Sequence, residues 1–384
     1  MLYIHNFYHH KGGEESVLEQ EKELLKEDVN TRLFSSENNT GIKGALQFLA
    51  SIWNFRSSSR LKKEIVEFAP DVIHIHNWHF ATGPIIIRTA KNHNIPVVLT
   101  LHNYRIICPS ATFLINGKIS TNSITAKFPW FAIKSKAYRD SYFQTFWLAF
   151  VVWFHKIAGT WKKVDKYIVL TDFSRELFLK STLELTTAQF SVKPNFVMDK
   201  GFSIHNRGAH FLFVGRLSPE KGIDVLLNAF IKSRFPVRII GDGPMKNHIL
   251  DVVHKHHNIE YLGSMPNDKI REEMRQASAL VFPSIWYEGM PMTLVEAFST
   301  GTPVLASNLG AMMSMIENNF NGMLFESSNV DDLIKHLQHW NCIPLNQKND
   351  FSLNSRLTYE QLYTPKANRE KLLSIYKDVM AKSS

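Results

Sequence analysis

Two glutamates, Glu288 and Glu296, stand with seven residues between them in the stretch SIWYEGMPMTLVEAFSTGTP at 284–303. Pro291 suits the first turn of a helix running to about Thr300. That leaves Glu288 in the loop ahead of the helix and Glu296 one to two turns inside it. A helix start offers unpaired N–H groups and the positive end of its dipole, so it binds phosphate. The donors here are the amides of Gly289, Met290, Met292 and Thr293, since Pro291 has none. A carboxylate inside the helix can take two hydroxyls of a ribose, and one in the loop can reach a sugar beyond the phosphates. Spacing alone favours two surface glutamates on a helix edge; the surrounding Gly289, Pro291 and Thr293 reverse that in favour of a binding site.

Three further places carry chemistry. In VGRLSPEKG at 214–222, Arg216 and Lys221 flank a Ser-Pro turn beyond a strand end, which suits a pyrophosphate. Gly12–Gly13 follows the first strand, and glycines let backbone approach a ligand without a Cβ clash; tight turns use the same pair. His102, in LTLHNYR, stands at the end of a buried strand, where open α/β sheets bind ligands. Tyr104 and Arg105 follow it and are placed to face an acceptor. His74, His76 and His79 invite a metal reading, and a strand would put the first two on one face. No Cys or carboxylate joins them at ligand spacing, so no metal is expected. P-loop, nucleophile-elbow and zinc-ligand patterns are absent, and Gly241-x-Gly243 lacks the third glycine of the dinucleotide fingerprint.

Alternating strand and helix patterns position these residues. Leu2–His5, Asp71–His76 and Pro96–His102 read as strands of a first half, with a helix from about Glu15 to Glu27. The second half repeats the rhythm in strands at His210–Gly215, Val237–Gly241, Ile259–Gly263, Ala279–Pro283 and Pro303–Ala306, with helices at Gly222–Ile231 and Asn267–Gln276. Such alternation implies parallel sheets covered by helices on both faces. Pro, Asn and Gly cluster near 193–208, where the halves join.

The 384 residues suggest two to three domains. At 44% apolar and 21% charged, the composition is globular rather than disordered. Lys plus Arg number 44 against 35 Asp plus Glu, a net +9 that points to an acidic surface or an anionic substrate. Two cysteines make no disulfide framework, which fits a reducing cytoplasm. The longest apolar run, Phe146–Phe154, is too short to span a bilayer, and the N-terminus carries no secretory signal pattern. From Lys127 to Lys166 aromatic and basic residues interleave, with Trp130, Trp147, Trp153 and Trp161 among them. Helices capping the first sheet would read this way, and so would an interfacial membrane patch.

The ordered blocks GGEE at 12–15, DVIHIHN at 71–77, LHNYRIICP at 101–109, KPNFV at 193–197, VGRLSPEKG, IIGDGP at 239–244 and EGMPMTLVEA at 288–297 carry a resemblance over nearly the whole chain. The sequence resembles the retaining glycosyltransferases of family 4, most of all bacterial members that build capsule, O-antigen or exopolysaccharide. The resemblance implies the α/β GT-B fold, two Rossmann-like doubly wound domains facing a central cleft. It implies an acceptor-binding domain at 1–197, a nucleotide-sugar-binding domain at 198–364, and a final helix at 365–384 packing back on the first. Glu296 would hold the ribose, and Glu288 the donor sugar. Arg216 and Lys221 would neutralise the leaving diphosphate in place of a divalent metal. Gly13 would bring backbone close to the phosphates or the acceptor, and His102 would sit beside the donor sugar.

No cofactor or metal is expected, only a nucleotide diphosphate sugar as donor. The implied acceptor is lipid-linked, displayed at the anionic inner face of the cytoplasmic membrane to which a cytoplasmic enzyme would bind peripherally. Nucleic acid is not an expected partner, because no recognised module is present. Relatives with the HNYR block often carry two cysteines after a Gly-Lys; here Gly117-Lys118 is followed by Ile-Ser-Thr-Asn-Ser. A sugar-nucleotide epimerase of the same architecture and a non-catalytic sugar-nucleotide or membrane-binding protein are the alternatives.

Overall fold

The computed structural model describes residues 1–7, 13–204 and 207–382. The chain forms two compact units: Met1–Pro194 together with Asn368–Ser384, and Asn195–Ala367.

In the first unit the β-branched runs form strands β1 (Leu2–Phe7), β2 (Arg32–Glu37), β3 (Ile73–Asn77) and β4 (Val97–Leu101), a small hairpin β5 (Leu114–Ile115) and β6 (Lys118–Ile119), then β7 (Lys166–Val169) and β8 (Phe190–Val192). The main sheet has the order β2-β1-β3-β4-β7-β8, parallel throughout. β3 and β4 are buried along their whole length, as a sheet with helices on both faces requires. The last helix, Pro365–Ala381, sends Leu372, Ile375, Tyr376 and Val379 into a core with Tyr3, Leu18, Val72, Val98 and Ile168.

The interleaved aromatic segment becomes two helices, Trp130–Lys134 and Tyr142–Ile157, and a 3₁₀ turn, Trp161–Lys163. Ser141 caps the long helix by accepting from the Gln144 amide. That helix buries Thr145, Leu148, Ala149, Val151 and His155, and the Trp147 indole donates to the Phe48 carbonyl at 2.7 Å. Its other side leaves Tyr142, Phe143, Phe146 and Ile157 exposed, as are Trp130 and Phe131. The segment thus buries one side within the first unit and shows solvent an aromatic face on the other. The helix Gly41–Ala50 adds exposed Ile42, Leu46 and Leu49, with Phe55 close behind in sequence.

The second unit is built from β9 (Phe211–Val214), β10 (Val237–Ile240), β11 (Ile259–Gly263), β12 (Ala279–Phe282), β13 (Val304–Ser307) and β14 (Gly322–Phe325). Their order is β11-β10-β9-β12-β13-β14, all parallel. The strand order reverses between β9 and β12. Ligands of doubly wound sheets bind outside the carboxyl ends of strands at such a switch point. The segments leaving β9 and β12 there are Gly215–Gly222 and Pro283–Pro291.

Candidate active site

Arg216 and Lys221 lie in the loop after β9, and that loop is held from both sides. Leu217 is fully buried; its amide donates to the Asp242 carbonyl at 2.9 Å, and its carbonyl accepts from the Met245 amide at 2.9 Å. The Gly241–Pro244 turn is thus a clasp on this loop. Gly241 has φ 147°, and a Cβ there would run into the Gly215 carbonyl. Arg216 projects from the clasped loop and is exposed, with no ion-pair partner among the described residues. The short 3₁₀ turn Pro219–Lys221 ends at Gly222, φ 72°, where a side chain would strike the Pro283 carbonyl.

The loop after β12 reaches back to this turn. The Ile285 amide donates to the Glu220 carbonyl at 2.9 Å, and Ser284 Oγ lies 3.3 Å from the same oxygen. These bonds bring Lys221 to Glu288. Lys221 Nζ donates to Glu288 Oε1 at 2.7 Å, and Ser284 Oγ donates to that oxygen at 2.8 Å. The Lys221 ammonium also sits over the faces of Phe282 and Trp286, 5.5 and 5.4 Å from their centroids. Glu288 is buried and Lys221 nearly so.

Helix Met292–Ser299 follows, with Pro291 at its N-cap rather than in its first turn. The amides of Met292 and Thr293 have no preceding turn to bond. Gly289 lies half-buried ahead of them, while Met290 is buried, its sulfur accepting from the Asn195 amide at 3.2 Å. Glu296 sits one turn in, and burial raises its carboxyl above the usual range, with Arg271 pulling the other way. No side-chain hydrogen bond to this carboxylate exists among the described residues. A ligand diol would supply what it lacks.

The first unit holds His102. It follows β4, partly exposed, in a pocket of about 330 Å³ shared with Glu14, Asn77, His79, Asn103 and Arg105. Asn103 Nδ2 donates to Glu14 Oε1 at 2.9 Å. Burial raises the Glu14 carboxyl, against that bond and the Arg105 charge. Burial likewise holds His102 well below the ordinary imidazole range, with His76 adding to the effect. Arg105 stacks its guanidinium over Tyr138, and its Nε and Nη1 have no hydrogen-bond partner among the described residues.

Tyr104 departs from expectation. It is buried against Phe113 and Phe178, with its hydroxyl 3.0 Å from Ser174 Oγ, so its side chain packs the core instead of facing an acceptor. Gly13 opens helix Gly13–Leu25, and nothing described stands within 4 Å of where its Cβ would lie. Gly12 falls outside the described residues.

Behind His102 lies a group of which sequence spacing marked only the histidines. His74 and His76 face Glu21, which comes from helix Gly13–Leu25, and candidate ligand atoms of the three lie within 4.8 Å of one another. These residues do not fit a metal. Lys193 Nζ already stands 2.5 Å from Glu21 Oε1. Both nitrogens of His74 are engaged, by Tyr376 Oη at 2.7 Å and Thr100 Oγ1 at 2.8 Å. A buried cation in the ligand shell opposes a second one.

Comparison with known proteins bears on the fold and the family. Residues 11–197 match the model of Glycosyltransferase Family 4, and residues 199–357 that of Glycosyl transferases group 1. A UDP-Gal:alpha-D-GlcNAc-diphosphoundecaprenol alpha-1,3-galactosyltransferase of Escherichia coli is 32% identical over 201 residues, 46% of this chain and 51% of that one. An uncharacterized glycosyltransferase of Methanocaldococcus jannaschii is 37% identical over 124 residues, 32% of this chain and 35% of that one. The chain thus spans between a third and a half of these relatives' length. Among solved structures, a glycosyltransferase from Rickettsia africae superposes with TM-score 0.70 at 15% identity, covering 99% of this chain and 98% of that one. Anabaena HepE in complex with UDP gives 0.67 at 15% identity, covering 98% and 99%. These two likenesses concern the fold, which is that of the GT-B glycosyltransferases. With consecutive matches to the two models over 11–197 and 199–357, the chain belongs to glycosyltransferase family 4, its second half being of group 1.

Proposed function

We propose that the protein transfers a hexose, with retention and without a metal, from a nucleoside diphosphate sugar to a lipid-linked saccharide of a bacterial surface polysaccharide. The observation that carries this reading is the Lys221–Glu288 pair at the β9/β12 switch point, with Arg216 in the same loop and without an ion-pair partner among the described residues. Fixed cations at a strand end stabilise a departing diphosphate at the moment its charge grows, which is where catalysis of this kind is obtained. They supply the countercharge a divalent ion would otherwise bring. Glu288 is tied to both Lys221 and Ser284, an arrangement suited to orienting a sugar hydroxyl and poorly suited to nucleophilic attack. Retention then follows front-face departure, with the leaving phosphate oxygen accepting the acceptor's proton.

Thermal-shift screening against UDP, GDP, ADP, CMP and dTDP, with and without their sugars, tests the donor site. A ligand that binds only the native state raises the melting temperature by mass action. One diphosphate is expected to give a clear shift at 100-fold excess over its Kd, equivalent to about 2.7 kcal/mol. No shift with any of them would overturn the reading.

The membrane-displayed acceptor is supported by the exposed aromatic face and by a second cavity of about 450 Å³. Leu148, Val152 and Trp153 line it, and Lys127, Lys156 and Arg105 bring charge to it. Arg105 also lines the His102 pocket. Apolar walls with three cations suit an amphiphile bearing phosphate. No described helix is long and apolar enough to cross a membrane, so attachment would be interfacial. The protein is expected to float with vesicles containing anionic lipid at low salt and to release substantially at 0.5 M salt, since each surface Lys or Arg contributes about 1 kcal/mol and is screened. Replacing Phe143 and Ile42 with Ser should weaken flotation at both salt concentrations. Failure to float on any vesicle would remove the membrane part of the proposal.

A further inference from the structure

A line of polar contacts runs through the interior of the first unit and ends at His102. Lys193 Nζ lies 2.5 Å from Glu21 Oε1. Glu21 Oε2 lies 3.4 Å from His76 Nε2, and His76 Nδ1 lies 3.2 Å from His102 Nε2. Lys193 and Glu21 are fully buried and His76 almost so. His76 and His102 both line the pocket, and His102 is the more exposed of the two. The four residues come from the segment after β8, the first helix, β3 and the end of β4.

The protons on this line can be assigned by elimination. An ammonium has only donors, so Glu21 Oε1 accepts from Lys193. Lys193 and His76 hold the Glu21 carboxyl well below its ordinary range, against the effect of burial. The approach is electrostatic and not a hydrogen bond, but a carboxylate has only lone pairs and repels another, so the His76 nitrogen facing it, Nε2, carries the hydrogen. Lys193 already neutralises Glu21, and a second proton on His76 would leave an uncompensated charge in a dry interior. With its hydrogen on Nε2, His76 offers a lone pair at Nδ1. His102 Nε2 must donate to that lone pair. A neutral His102 then has no hydrogen on Nδ1.

We propose that Lys193 and Glu21 are positioning residues that act through His76 to hold His102 as the Nε2–H tautomer, leaving Nδ1 to accept a hydrogen bond from a ligand hydroxyl. Which nitrogen of a histidine is protonated is set by the partner of the other nitrogen; here that partner is fixed by an ion pair remote from the pocket. The assignment of protons stands on the geometry of this unit. Its consequence for turnover rests on the transferase reading above.

Two-bond ¹H–¹⁵N spectra of ¹⁵N-histidine-labelled protein at pH 7.5 report tautomers directly. The His76 and His102 signals are identified by their loss in His76→Asn and His102→Asn. Both rings are expected to be protonated at Nε2 only. His102 protonated at Nδ1, or at both nitrogens, would overturn the proposal, and this measurement needs no variant to be active.

Glu21→Gln combined with Lys193→Met keeps the interior neutral while replacing the acceptor at His76 with an amide donor. Every bond in the line should then reverse, giving Nδ1–H on both rings, with kcat about tenfold lower and KM for the nucleotide sugar within twofold. A tenfold loss corresponds to about one hydrogen bond. Reversed tautomers with unchanged kcat would show that His102 accepts nothing in the reaction. Absence of any glycosyl transfer by the unaltered protein would overturn the transferase reading, while the spectra would still decide the tautomer.

Discussion

Lys221→Met is expected to lower kcat by about 10²- to 10³-fold, the range found on removing one preorganised group that meets developing negative charge. The side chain lies 2.7 Å from Glu288 Oε1 and between the faces of Phe282 and Trp286, so a methionine of similar length keeps the packing and removes only the charge. Two effects add. The diphosphate loses a fixed cation, and Glu288 becomes a buried carboxylate without its counterion. The second effect also threatens stability, since breaking a buried pair from one side costs about 3–5 kcal/mol. Lys221→Met with Glu288→Gln separates the two. The double variant should regain most of the melting temperature while turnover stays low. Recovery of turnover together with stability would mean that the pair only holds the loop. Steady-state kinetics on the donor identified by thermal shift, with urea unfolding of the same variants, checks both.

The second large effect concerns acid. Burial lowers His5 and His155 to about 4 and holds His74, His79 and His102 well below 6.5, all of them in the first unit. In the unfolded chain each returns to about 6.5. The unfolded state therefore binds more protons, and stability falls as pH drops from 6.5 toward 4. For His5 and His155 alone, some 2.5 pH units at 1.36 kcal/mol each give about 3 kcal/mol apiece. Together these are comparable with the whole stability of a typical domain. Glu21 acts in the same direction at still lower pH, since its folded carboxyl is depressed. Glu14, raised by burial, opposes them. The urea midpoint is expected to fall steeply between pH 6.5 and 4.5. Six of the eight tryptophans (53, 78, 130, 147, 153 and 161) lie in the first unit, so intrinsic fluorescence follows it. A midpoint constant from pH 7 to 5 would show that these histidines are hydrated or paired in the folded chain.

Sequence patterning located the interior strands well, because β3, β4, β9 and β12 are short runs of apolar and β-branched residues between turn signals. The helix read at Asn267–Gln276 has those bounds in the structure. Patterning missed β2, an edge strand reading RLFSSE whose polar residues face solvent, and β8, which has only three residues. It also missed the helix Leu345–Leu362, whose buried positions include Ser352, Ser355, Arg356 and Thr358 and so give no apolar stripe. The places of Glu288, Arg216 and Lys221 in loops and of Glu296 within a helix were legible, because they follow from local spacing. The buried line behind His102 was not. Its members are joined by contacts between residues as far apart as Glu21 and Lys193, 172 positions, and nothing local marks either one. Tyr104 was misread for a related reason: its neighbours Phe113 and Phe178 come from later segments that decide which way the ring turns.

The return of the last helix to the first unit sets an order on biosynthesis. The main sheet of that unit is fully translated once Val192 is made, yet its core still lacks Leu372, Ile375, Tyr376 and Val379. The bond from His74 to Tyr376 joins residues 302 positions apart. Residues 195–367 form a unit of their own and can fold on the ribosome while the earlier one waits. During that interval the apolar surface later covered by the helix stays open. A nascent chain stalled before residue 372 thus exposes this surface, and the stretch from Leu372 to Val379 acts as its closing clasp.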